Sequence, residues 1–194
     1  MLTTSGKAAL SGPGVGLTRL KERVTAMLKQ MIGKLSERPR MSYEDARAAL
    51  ETHAHNARRY LAGRPDVEPE ILYYLANDDS VAVRRLVAAN PSTPQRANKI
   101  LAGDADDEVR CELAQKMGRQ VAEPAPTMTA RGHALAVEVV ERLAHDAVPR
   151  VRAILAEQLK ASPHVPAHIV EVLAHDNELI VRAPVLECSP LLSA

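Results

Sequence analysis

The ten-residue pattern L-A-x-D-x-x-x-x-V-R recurs four times in this chain. It stands as LANDDSVAVR from Leu75, LAGDADDEVR from Leu101, LAHDAVPRVR from Leu143 and LAHDNELIVR from Leu173. Five fixed letters in ten, four times over, are not a coincidence of composition. A unit this short cannot bury its own apolar face, so each copy must stack on another.

A proline-led segment precedes most copies. Pro65, Pro91 and Pro163 each stand ten residues before the leucine that opens the next copy. The segment ARRYLAGRP (57–65) aligns with VRRLVAANP (83–91), which marks an earlier, degenerate unit. Each unit predicts two short helices. The first carries Ile71, Leu72 and Leu75, then Ala97, Ile100 and Leu101, then Val139, Val140 and Leu143, then Ile169, Val172 and Leu173. Pro94 is expected at a first helical position, with Thr93 as its cap. The second helix begins near the aspartate and carries Val83, Leu86 and Val87, with Val109 and Leu113, Val151, Ile154 and Leu155, and Val181 and Val185 as counterparts. Spacings of three and four put each set on one helix face. The predicted core holds Val83, Leu86, Leu101, Val109, Leu143, Val151, Ile154, Leu173 and Val181. The expectation is an all-α fold, an α-solenoid of short helix pairs over residues 41–194, with an inserted loop near 118–132.

The segment VRRLVAANPSTPQRANKILAGD resembles the leucine-rich repeat variant, a short relative of the HEAT repeat. The stretch LAHDAVPRVRAILAEQLKASPHVPAHIVEVLAHDNELIVRAPVLECSP is similar to the bacterial family termed domain of unknown function 2336. The resemblance covers about residues 45–194 and implies a right-handed stack of helix pairs with no established activity. Members of that family usually continue past the SPLL segment, so the last unit here is expected to lack a capping neighbour and to expose its apolar face. An iron–sulfur cluster, associated with one leucine-rich-repeat-variant protein, requires a cysteine cluster; this chain has only Cys111 and Cys188.

The aspartates Asp78, Asp104, Asp146 and Asp176 and the arginines Arg84, Arg110, Arg152 and Arg182 form a candidate structural ladder. Within one copy they lie six positions apart, which on a helix does not bring them face to face. The aspartate is expected to cap the second helix and to accept from the arginine of a neighbouring repeat, with Asp78 and Asp104 as candidates for Arg110. His145 and His175 share a slot with Asn77 and Gly103, the mark of a solvent-facing turn. His164 and His168 have a zinc-like spacing but no local third ligand. His53 and His55 do not share a helix face.

Charge is divided unevenly. Residues 1–40 hold eight basic residues and two acidic ones, and the rest holds 17 basic and 22 acidic. Residues 1–15 are expected as a flexible segment and 16–40 as a basic amphipathic helix, with Leu17, Leu20, Val24, Met27, Leu28, Met31 and Leu35 on one stripe. That helix suits a cap over the array, a self-pairing or partner-docking element, or contact with an anionic membrane surface; the last lacks Trp and Phe anchors. Arg19, Lys21, Arg23, Lys29, Lys34, Arg58, Arg59, Arg84 and Arg85 form a candidate basic interaction surface.

These features favour a non-enzymatic scaffold for protein–protein interaction, with a foreign protein as partner and a homo-oligomer as the alternative. A HEAT-like nucleic-acid-binding protein is a second reading, set back by the mildly acidic body and the lack of Trp and Phe to hold a base. A hydrolase with an unrecognised site is a third, set back by the absence of a phosphate loop, a G-x-S-x-G elbow or H-E-x-x-H. No catalytic residue, cofactor or metal ligand is assigned. Two cysteines and the lack of an apolar leader lead to an expected cytoplasmic location.

Overall fold

The proline-punctuated repeats fold as nine α-helices with no strand among the described residues. In chain order they are α1 (His55–Gly63), α2 (Pro69–Leu75), α3 (Val81–Ala89), α4 (Gln95–Leu101), α5 (Asp107–Ala122), α6 (Ala130–Ala144), α7 (Pro149–Leu159), α8 (Ala167–Ala174) and α9 (Leu179–Cys188). The structure, a computed structural model, describes Glu44, Ala48 and residues 55–190. The chain divides between Arg40 and Met41 into two units, and the described residues belong to the second. The expected segment 1–15 and the basic helix 16–40, with Arg19, Lys21, Arg23, Lys29 and Lys34, lie outside the described residues.

The helices form two files. The odd-numbered helices α1, α3, α5, α7 and α9 each pack on the next, and so do the even-numbered α2, α4, α6 and α8. The files meet through the helix pairs α2–α3, α4–α5, α6–α7 and α8–α9. Helices of this length are marginal alone in water, so packing between files and along them supplies their stability. Of the predicted core, Val83, Leu101, Val109, Leu143, Val151, Leu173 and Val181 are fully buried. Leu86 and Ile154 are only partly buried, at the margin of the core. Each lies one position before the deeper Val87 and Leu155, a rotation of about 100° away from the inner face.

Two local expectations are corrected. Pro94 is the residue before α4, not its first residue, and Thr93 does not cap it. The Thr93 hydroxyl turns back and donates to the Val87 carbonyl at 2.6 Å, closing the end of α3. The stretch expected as a loop near 118–132 is helical through Ala122 and again from Ala130. The apolar stripe of α5 continues through Met117 and Val121, both fully buried, and that burial carries the helix past the expected break. Gly118 fits this extension: a Cβ there would lie 2.7 Å from Gln158 Cβ on α7, so only glycine admits so close an approach.

Candidate functional site

The ladder residues come together between repeats. Arg84 donates from Nε and Nη2 to the Asp104 carboxylate at 2.7 and 3.0 Å. Arg110 does the same to Asp146 at 2.6 and 3.1 Å, and Arg152 to Asp176 at 2.6 and 3.0 Å. Arg58, placed by sequence on the basic surface, donates to Asp78 at 2.7 Å. The guanidiniums therefore reach forward to the next repeat. Arg110 does not meet the carboxylate of Asp78 or Asp104; it touches Asp104 only at the backbone carbonyl, 2.7 Å from Nη1. Planar bidentate pairing of this kind combines charge with fixed geometry. The carboxylate bond raises the affinity of Arg84, Arg110 and Arg152 for their protons. The Arg152 bond likewise holds Asp176 below its ordinary carboxylate range.

The aspartates do not cap the second helices. The residues in the capping position are Ser80, Asp106, Val148 and Glu178, two positions later. Each ladder aspartate instead accepts from the backbone N–H of that later residue, at 2.8–3.0 Å. The result is an Asx turn that shapes the approach to the helix; in Asp104, Asp146 and Asp176 the same Oδ1 also accepts from the arginine Nη2, while Oδ2 accepts from Nε. Each arginine also closes its own turn: Nη1 of Arg84, Arg110, Arg152 and Arg182 donates to the carbonyl of the aspartate six residues earlier.

A second polar network, not anticipated from sequence, lies at the far end of the odd helices. Asn90 donates to the carbonyls of Ala62 and Arg64, both at 2.8 Å. Lys116 donates to the Asn90 carbonyl at 3.1 Å and to Asn98 Oδ1 at 2.8 Å. Ser162 donates to the Ala122 carbonyl at 2.8 Å. Carbonyls left over at one helix end are thus satisfied by a side chain of the following repeat. Lys116 is buried, and burial among neutral oxygens lowers its pKa to about 7. The signal was present: Lys116 follows Val109 by seven and Leu113 by three, which places it on the buried stripe of α5.

The remaining basic candidates are dispersed or engaged. Arg85 is paired with Glu112 at 3.0 Å and with Glu108 at 3.6 Å. Arg59 is exposed on α1. His145 and His175 are exposed and follow α6 and α8, each with Nδ1 within 2.9 Å of the carbonyl four residues back. His168 pairs with Glu141 at 2.5 Å. Among the described residues, no three His, Cys, Asp or Glu side chains gather as a metal site. Cys111 and Cys188 are unbridged. No helix among the described residues is long and apolar enough to cross a membrane.

Among the described residues, a groove of about 310 Å³ lies between α2 and α4. Pro69, Glu70, Tyr73, Pro94 and Arg96 line it. Tyr74 is exposed beside Tyr73 on α2, and Tyr60 is exposed on α1 with Arg64 over its ring, 5.3 Å from the centroid. All four aromatic residues of the chain fall within residues 43–74, a concentration visible in the sequence. A larger depression of about 420 Å³ lies among the turns around Asp78, Asp79, Arg84 and Asp104. Asp78, Arg84 and Asp104 already serve the ladder there. Comparison with known proteins finds no matching family model, no matching curated protein and no matching solved structure.

Proposed function

We propose that this chain is a non-enzymatic scaffold, a right-handed α-solenoid of the leucine-rich-repeat-variant or HEAT-like kind, that holds a partner protein along its even-numbered helices. The observation that carries this reading is the Tyr73 groove. Large aromatic rings at 45–65% exposure on a chain otherwise sparing of aromatics are costly to leave wet, and Tyr and Arg are the residues most often found at binding hot spots. Pro69 and Pro94 give the groove rigid walls, and Arg96 adds a cation at its rim. The test is a pull-down from the native cell with wild-type protein and a Tyr73→Ala/Arg96→Ala variant. The reading requires a partner that is retained by the first and lost by the second. Equal recovery by both removes the groove from the interface.

The nucleic-acid reading loses ground because Arg58, Arg84 and Arg85 all face carboxylates. A salt-sensitive shift of duplex DNA at micromolar protein would restore it.

A further inference from the structure

The turns that lead into the even helices lie along one edge of the array. Asn90, in the turn before α4, donates to the carbonyls of Ala62 and Arg64, at the approach to α2. Ser92 donates to the Pro65 carbonyl at 2.5 Å. Lys116 of α5 reaches back to the Asn90 carbonyl, and Ser162, before α8, donates to the carbonyl of Ala122 at the end of α5. The α2–α4 groove lies on this edge: Pro69 is the first residue of α2, and Pro94 immediately precedes α4. Helix α6 packs on α4, so the connector that leads into it, Glu123 to Thr129, stands on the same edge one repeat further along.

That connector protrudes. Glu123, Pro124, Ala125, Pro126 and Thr127 are all exposed. The Ala125 carbonyl accepts from the Met128 N–H at 2.9 Å, which makes a turn with Pro126 at its second position, where proline fixes the backbone in advance. A tip ordered beforehand loses little conformational entropy when it is seated. Charge brackets the prolines, with Glu123 before them and Arg131 after them in the first turn of α6. The groove carries the complementary pair, Arg96 on its α4 wall and Glu70 on its α2 wall. All four charged residues are exposed, and among the described residues none has an ion-pair partner.

We propose that the Tyr73 groove seats the Glu123–Thr129 connector of a second copy of this chain, in a two-fold dimer in which Pro124 and Pro126 pack on Tyr73, Glu123 pairs with Arg96 and Arg131 pairs with Glu70. The inference rests on the reading that this groove holds a protein, and it names that protein. Groove and connector share an edge, so one two-fold axis seats both connectors at once, and an isologous contact uses each surface twice. Aromatic-lined grooves are a recurring seat for exposed proline segments. Charge also favours this segment over two other prolines of the chain. Pro13 lies in SGPG with no charge beside it, and Pro39 lies between Arg38 and Arg40, which Arg96 repels.

Sedimentation velocity of the full chain over a micromolar concentration series should show a reversible monomer–dimer equilibrium. Tyr73→Ala, Glu123→Arg and Arg96→Glu should each weaken it about tenfold or more. The Glu123→Arg and Arg96→Glu variants, mixed in equal amounts, should dimerise as the wild type does. In that mixture each of the two seats again holds one acid and one base, and a folding defect in either variant cannot be repaired by mixing. A chain that stays monomeric throughout the series overturns the proposal. So does a dimer that ignores all three substitutions, as pairing through residues 17–35 would, or a mixture that shows no rescue. If the chain is monomeric while the Tyr73→Ala/Arg96→Ala variant loses a foreign protein in the pull-down, this proposal falls and the scaffold reading stands. If both forms recover every protein equally, a second copy included, both fall.

Discussion

Helix α5 carries two cations six residues apart, Arg110 part-buried and Lys116 buried, and treats them in opposite ways. Arg110 lies near the start and meets the carboxylate of Asp146, 2.6 Å away. Lys116 lies past the middle and meets only neutral oxygens, the Asn90 carbonyl and Asn98 Oδ1. The first environment compensates lost hydration with an opposite charge, and its arginine holds its proton more tightly. The second compensates it with dipoles alone, and its lysine titrates near neutrality. Burial of a cation is thus no single quantity: the partner decides whether the charged form is favoured. The rung fastens adjacent repeats at any ordinary pH, while the Lys116 network changes character across the physiological range.

The largest effect should come from unpairing the rung. Asp146→Ala leaves Arg110 part-buried without its carboxylate and should cost about 3–5 kcal/mol in reversible unfolding. A double-mutant cycle of Arg110 with Asp146 should show coupling of about 0.5–3 kcal/mol, and the cycle with Asp104 should be nearly additive. Strong Arg110–Asp104 coupling would mean that the ladder runs backward.

Next in size is the pH response of Lys116. Its folded pKa is lowered to about 7, so between that value and the unfolded one near 10.5 the unfolded chain binds more protons. Stability therefore rises with pH across that window, by a few kcal/mol at about 1.4 kcal/mol per unit. Urea midpoints from pH 6 to 10 should show the rise in the wild type and a flatter profile in Lys116→Met. Parallel profiles would place the titration elsewhere.

The Arg152–Asp176 rung should respond at the acid end. Asp176 has a depressed folded pKa, so its contribution is present above the unfolded carboxylate range and is lost as pH falls through the folded value. Asp176→Asn should remove that part of the acid sensitivity, seen as a shallower loss of stability below about pH 4. The smallest effect belongs to Arg85, whose pairing with Glu112 is exposed to solvent. Arg85→Ala should leave the denaturation midpoint within error, and a clear shift would show that surface pairs matter here as much as rungs.

How much of this was legible in the sequence depends on range. The helix pairs and most of the core follow from spacings of three and four, which are local. The pairing of arginine with aspartate between repeats was also legible as a type of contact. Its direction was not, because the Arg110 partner lies 36 residues ahead across an unequal spacing. The aspartate was misread as a cap because Asx turns and caps favour the same residue, and only the backbone position separates them. Helix α5 outran its expected end because the place of Gly118 in it is explained by the nearness of Gln158 on α7, a contact that local spacing does not show. Lys116 hid in plain view, since a polar residue on an apolar stripe gives no hint of which distant carbonyl will accept from it. The Tyr73 groove needed two helices from different repeats, and no window along the chain contains that juxtaposition.

The rungs keep one geometry while the chain between their partners varies from 20 residues for Arg84 to 36 for Arg110 and 24 for Arg152. Register between neighbouring units is therefore set by a side-chain clasp, and connector length is left free to drift. Lengthening such a connector costs only about 0.6 kcal/mol per doubling. Units joined this way can be duplicated, or can acquire a foreign sequence in the turn at residues 123–129, without any change to the clasps on either side.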